Sequence, residues 1–194
     1  NTTADNNTAI GKDALLVSTT GPNNTAVGNV SLYTNTTGSE NVALGMNAMY
    51  SNTTGEDNVA VGYASLYNNT TADNNTAVGF NSLKANTTGA ANTAVGLSAL
   101  TANTTGGNNV GVGYQSLLTN TTGADNTATG AGALQSSTTA SNNTAFGRVA
   151  LNSTTTGASN SALGLSALRY NTTGNYNTGI GMQGLYSNTT ASNN

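Results

Sequence analysis

The chain has no cysteine, no histidine and no tryptophan, and it carries one proline and two phenylalanines in 194 residues. Each absence removes a class of chemistry. Without cysteine there is neither a disulfide framework nor a thiolate metal site. Without histidine the commonest general base and metal ligand is gone, so acid–base or nucleophilic chemistry would rest on carboxylates alone. Positive charge is scarce too, with four basic against seven acidic residues and a net charge of −3. That balance lacks the basic footprint of a nucleic-acid binder and is too weak to select a charged partner. No apolar run approaches the ~20 residues of a membrane-spanning helix. The composition predicts a non-catalytic chain with no cofactor, no metal, no nucleic-acid partner and no membrane span in this segment.

What the chain has instead is a period. Asparagine stands at Asn7, Asn24, Asn41, Asn58, Asn75, Asn92, Asn109, Asn126, Asn143, Asn160, Asn177 and Asn194, every step being 17 residues with no insertion. Asn, Thr, Gly and Ser dominate as in disordered segments, but disorder does not hold apolar residues at the same places in copy after copy. Such a period marks a stacked solenoid in which one repeat is one coil. Residues 1–194 therefore read as a single repeat array, with eleven complete repeats over 7–193 and a partial repeat over 1–6. An array that starts and stops inside a repeat, without atypical capping coils, is expected to be a fragment of a longer fibre.

Numbering each repeat from its Asn as position 1 separates constrained from free places. Position 5 is always Gly and positions 13 and 14 are always Thr-Thr; position 9 is Leu except at Met49. The structural ladders expected from this include Asn75, Asn92 and Asn109, Gly79, Gly96 and Gly113, Thr87, Thr88, Thr104 and Thr105, and Leu83, Leu100 and Leu117. Position 3 is only Ala or Gly, position 8 only Ala, Ser or Gly, and position 4 is aliphatic or Phe146 except at Thr129. Positions 6, 7, 10, 11, 16 and 17 vary freely, as solvent-facing and turn positions do, and carry the charge.

A stretch such as Asn92-Thr93-Ala94-Val95-Gly96 has the alternation and β-branching of a short strand, with Asn103-Thr104-Thr105-Gly106 as a turn cluster. Equivalent strands stacked at about 4.8 Å per coil give a parallel sheet and a rod roughly 50 Å long. The fold expected is all-β: a parallel β-solenoid, of the β-roll or β-helix kind, with about eleven stacked 17-residue coils. Asn side chains would bond amide to amide from coil to coil and Thr hydroxyls likewise, and Gly at position 5 would turn the strand into the next side of the coil. If the aliphatic at position 4 points inwards, position 3 points outwards. Its restriction to Ala or Gly then implies a second chain packed against it, with Ala77, Ala94 and Gly111 in the inter-chain seam. The alternative is a flattened coil tight on both faces for internal reasons.

Asn-Thr-Ala-Val-Gly followed two residues later by Ala or Ser resembles the head repeats of trimeric autotransporter adhesins. Nearly the whole seventeen residues resemble the NTAVGxxALxxNTTG repeats of phage-type tail-fibre and bacterial surface fibre proteins. The resemblance implies a trimeric or filamentous, β-structured extracellular fibre shaft or adhesin stalk, on a cell surface, virion or matrix.

Outside the scaffold, Tyr33, Tyr50 and Tyr67 share position 10 in consecutive coils. They are a candidate glycan-contact stripe for a cell-surface glycan or receptor, or else a cover for the Leu ladder. Glu40 and Asp57 share position 17 in successive coils, either a cross-coil carboxylate pair or a solvated turn. Asn35, Asn52, Asn86, Asn103, Asn120, Asn171 and Asn188 begin Asn-x-Thr sequons. Three functions follow: the shaft of an extracellular fibre or adhesin acting as a homo-oligomer, a trimer or polymer; a self-assembling filament or matrix protein stacking coils end to end through open sheet edges; or an ice-binding solenoid suggested by the Thr ladders.

Overall fold

The computed structural model describes residues 3–194. Among them there is no helix, and eleven three-residue strands run from β1 (Thr8–Ile10) to β11 (Thr178–Ile180), each at positions 2 to 4 of its repeat. They form one eleven-stranded sheet in chain order. Each pairs in parallel with the equivalent residues seventeen positions on, as in Thr76↔Thr93, Ala77↔Ala94 and Val78↔Val95. The parallel β-solenoid expected from the period is therefore what the chain adopts. Between coils the backbone bonds alternate in direction: the Thr93 N–H donates to the Asn109 carbonyl at 2.8 Å, and the Gly96 N–H to the Val78 carbonyl at 2.8 Å.

The core is a column rather than a ball. Leu32, Met49, Leu66, Leu83, Leu100, Leu117, Leu134, Leu151 and Leu168, all position 9, are fully buried. So are Ala26, Ala43, Ala60, Ala77, Ala94, Ala128 and Ala145 at position 3. This overturns the inward placement of position 4 and the inter-chain seam at Ala77, Ala94 and Gly111. The strands turn the middle residue in and the two outer residues out, with Ala94 buried between half-buried Thr93 and exposed Val95. What limits position 3 lies within the same chain. A Cβ added to Gly111 would stand 3.1 Å from Ser116 Oγ and 3.3 Å from Leu100 Cδ1, so a methyl fills the available space and anything longer displaces the leucine column.

Position 5 has a reason beyond its backbone angle. Gly96 has φ +135°, and a Cβ there would lie 2.5 Å from the carbonyl oxygen of Gly113 in the next coil. The stack of coils closes over it. Positions 7, 9 and 17 are left-handed with residues other than glycine: Ser98 φ 58°, Leu100 φ 52° and Asn108 φ 57° in one coil. The leucine at position 9 keeps φ between 49° and 52° in all coils but the one with Met49, itself at 50°. A branched apolar residue there is strained, and the side chain that benefits from it is the one that fills the core. At exposed position 17 no such compensation exists, which accounts for its frequent Asn or Asp.

Two outcomes follow for thermal melts. Gly96→Val should lower stability by at least ~1–3 kcal/mol, whereas Leu97→Gln, at a position exposed to solvent, should leave the melt within error. Ala91, exposed with φ 58°, should gain roughly 0.5–1 kcal/mol on Ala91→Asn, because asparagine tolerates the left-handed region better.

Candidate functional site

Two faces of the coil matter, one turned in and one turned out. Inside, position 1 does two jobs with one amide. Asn92 Nδ2 donates to the Gly106 carbonyl at 2.9 Å, closing its own coil, while Asn92 Oδ1 accepts the backbone N–H of Asn109 in the next coil at 2.9 Å. Asn75 and Asn109 continue the series, Asn75 Oδ1 accepting from the Asn92 N–H at 2.9 Å. A second ladder, which sequence reading took for turn residues and sequons, runs at position 12. Asn103 Nδ2 donates to Asn86 Oδ1 at 2.8 Å and to the Gly106 carbonyl at 2.9 Å, and Asn120 Nδ2 donates to Asn103 Oδ1 at 2.9 Å. The near-invariance of Asn at this position was the signal for it. Asn35, Asn52, Asn86, Asn103, Asn120 and Asn171 are fully buried and Asn188 is half-buried, so in the folded chain the sequon amides serve the stack.

The paired threonines divide. Thr87 and Thr104 at position 13 donate their hydroxyls to the carbonyl of the equivalent Thr in the next coil, both at 3.0 Å. Thr88 and Thr105 at position 14 hold the stack through their backbone N–H groups and expose their side chains. The position 14 threonines thus form a single file between a half-buried position 13 and a position 16 that varies from Pro22 to Glu56 and Gly107, rather than a two-dimensional array.

Tyr33, Tyr50 and Tyr67 stack as expected, with ring centroids 5.1 and 5.2 Å apart and planes 6° apart. Their faces are used on one another, and the faces of Tyr50 are covered from both sides, so sugar stacking along this stripe is limited to its two ends. Tyr170 lies edge-on to Tyr186 at 4.9 Å, and the hydrogen bond with the Tyr186 hydroxyl holds its pKa above the ordinary tyrosine value. Glu40 and Asp57 are both exposed at their turns. Among the described residues no three His, Cys, Asp or Glu side chains come together as a metal site, and no helix is long and apolar enough to cross a membrane.

The outward face of the sheet is the feature that the inward placement of position 4 had hidden. Positions 2 and 4 carry Thr, Val or Ser and Val, Leu, Ile, Phe or Thr respectively, without a charged residue in any coil. Val27, Leu44, Val61, Val78 and Val112 are half-buried, and Ile10, Val95, Phe146, Leu163 and Ile180 are exposed. Towards the last coils Phe146, Leu163 and Ile180 stand 50, 53 and 71% exposed around a shallow recess of about 250 Å³. Three residues of strand width along a rod of ~50 Å give an uncharged face of roughly 500 Å², one edge of it apolar at position 4 and the other mostly threonine at position 2.

Comparison with protein-family models, with curated proteins and with solved structures finds no match. The geometry of the two faces therefore carries the functional reading.

The position 12 ladder also has gaps. Ser137 replaces the asparagine, its hydroxyl is buried without a partner, and Asn120 Oδ1 is left equally unsatisfied. Ser137→Asn should return a donor to Asn120 Oδ1 and raise stability by about 1 kcal/mol, whereas Asn103→Leu, which strands buried amides on both sides, should lower it by about 2–3 kcal/mol. Chemical denaturation of the two variants beside the parent chain measures both.

Proposed function

We propose that the chain is the structural shaft of an extracellular fibre or adhesin, non-catalytic, and that it works as a homo-oligomer joined along the outward face of its sheet. The observation that carries this reading is that face: free of charge in every coil, with an aliphatic or aromatic residue at position 4 in all coils but that of Thr129. Two features favour another copy of this chain as its occupant. At position 2 threonine and valine interchange, as at Thr93 and Val110, in all coils but that of Ser161, so the β-branched shape is largely kept while polarity is not, as packing against a surface demands. The ridges formed by position 4 also recur at one coil pitch, and a second copy presents the same pitch over its whole length, whereas a globular partner would meet only a few coils. The resemblance to tail-fibre and autotransporter repeats favours three copies. In such an assembly the rod supplies length and stiffness, with a receptor contact carried at a tip or along the sides.

The test is molecular mass in solution. Sedimentation should report an oligomer for the parent chain, and the triple substitution Val78→Lys, Val95→Lys and Val112→Lys should convert it to monomers that keep the β-sheet circular dichroism signal, since three charges per chain cannot be buried unpaired in a seam. A folded monomer for the parent chain, or an oligomer that survives the three lysines, removes the proposal.

A further inference from the structure

Position 6 forms a column on another side of the coil, and flat side chains in neighbouring coils stack there. Tyr63 and Phe80 lie 5.1 Å apart with planes 15° apart, so one coil pitch equals one stacking step. The column is broken once. Ala131 and Gly132 are the only pair at positions 6 and 7 that are both this small. Tyr114 occupies position 6 in the coil before and Arg148 in the coil after, two pitches or about 9.6 Å apart along the axis. The missing side chain leaves a notch of about 150 Å³ between them, floored by Ala131 and Gly132 and walled by Gln115 and Gln135.

The polar groups of this notch are sorted by their bonds. Gln135 Nε2 donates to Gln115 Oε1 at 2.9 Å, and Asn152 Nδ2 donates to Gln135 Oε1 at 3.0 Å and to the Gly132 carbonyl at 2.9 Å. The acceptors are engaged from within the protein. Gln115 and Arg148 line the notch, and no hydrogen bond among the described residues engages Gln115 Nε2 or the Arg148 guanidinium. A site with two separate sets of donors, an aromatic ring and space for one more ring selects a ring that carries a carboxylate and hydroxyls together.

We propose that this notch binds one pyranose residue carrying a carboxylate, as in an acidic glycan. The sugar ring occupies the step left vacant by Ala131, against the Tyr114 ring. Its carboxylate takes the planar fork of Arg148, and a ring hydroxyl accepts from Gln115 Nε2. A neutral sugar forfeits the Arg148 contact. The lining belongs to positions 6, 7 and 10 and uses no residue of the outward sheet face, so the proposal stands or falls independently of the oligomer.

Saturation-transfer NMR on the whole chain with millimolar glucuronate, glucose or benzoate tests it. Glucuronate should receive saturation, and glucose and benzoate far less. Ala131→Leu places in the notch a side chain that Leu97 and Leu165 already occupy in their own coils, so the fold is retained, and it should abolish the signal. Arg148→Gln should weaken glucuronate binding about tenfold or more and erase its advantage over glucose. Binding unchanged by Ala131→Leu, glucose bound as well as glucuronate, benzoate bound in its place, or no saturation of glucuronate would each overturn the proposal.

Discussion

Everything in this rod depends on an amide small enough to sit inside a coil and able to give and take at once. The interior of each coil holds one leucine and one or two small residues, far too little to exclude water from the backbone groups that face inwards at the two ends of the repeat. Asparagine at position 1 answers both needs: its N–H closes the coil on the position 15 carbonyl and its oxygen receives the next coil's N–H, as at Asn92. Aspartate would lack the donor and carry a buried charge; glutamine adds a methylene that the narrow interior has no room for. A buried polar group left unpaired costs about 1–3 kcal/mol, so a coil lacking this residue would lose on two accounts.

The same economy explains a feature that looks unfavourable in isolation. Leucine with φ near +50° recurs in coil after coil, although for a bulky residue that region is strained. Seventeen residues must return to their starting height within one strand spacing, and the tight corners at positions 5, 7, 9 and 17 make this happen. Gly occupies the corner at position 5, where the next coil's backbone leaves no room for a Cβ. Position 9 must supply the core, so it keeps leucine in all coils but that of Met49 and bears the strain, and its complete burial from Leu32 to Leu168 is the compensation. In a stacked array that compromise is made once and copied.

Much of this could be read from the residues. The fixed step of asparagines implies a parallel in-register stack, and the constancy of Gly and Thr-Thr implies backbone-dictated places. The direction of the strand could not be settled by alternation alone. Alternation says that Ala94 and Val95 face opposite ways, and hydrophobicity favours turning the valine in. The structure turns the alanine in, because the space beside Leu100 accepts a methyl and little more. The larger apolar residue is thus left outside, contrary to the usual rule. The second asparagine ladder was concealed for a different reason: Asn103-Thr104-Thr105-Gly106 reads as a turn cluster, and turn asparagines are ordinarily exposed, whereas Asn103 is fully buried. The Tyr33, Tyr50 and Tyr67 stack was foreseeable, but not that stacking would use up the ring faces.

An inward alanine and an outward valine divide the labour of the repeat. The inner positions repeat with little tolerance because each coil must fit its neighbours. The outer sheet face stays uncharged in every coil, although its position 4 ranges from Thr129 to Phe146. The turn positions 6, 7 and 10 do vary, from Lys12 and Tyr63 to Ala131 and Arg148, since a change there alters one coil without disturbing the register. A regular stack thereby becomes a ruler on which local chemistry can be written at a chosen height. The notch at Ala131 and Gly132 shows the principle in its simplest form: in a column whose side chains are spaced for stacking, removing one of them creates a place for something else to stack.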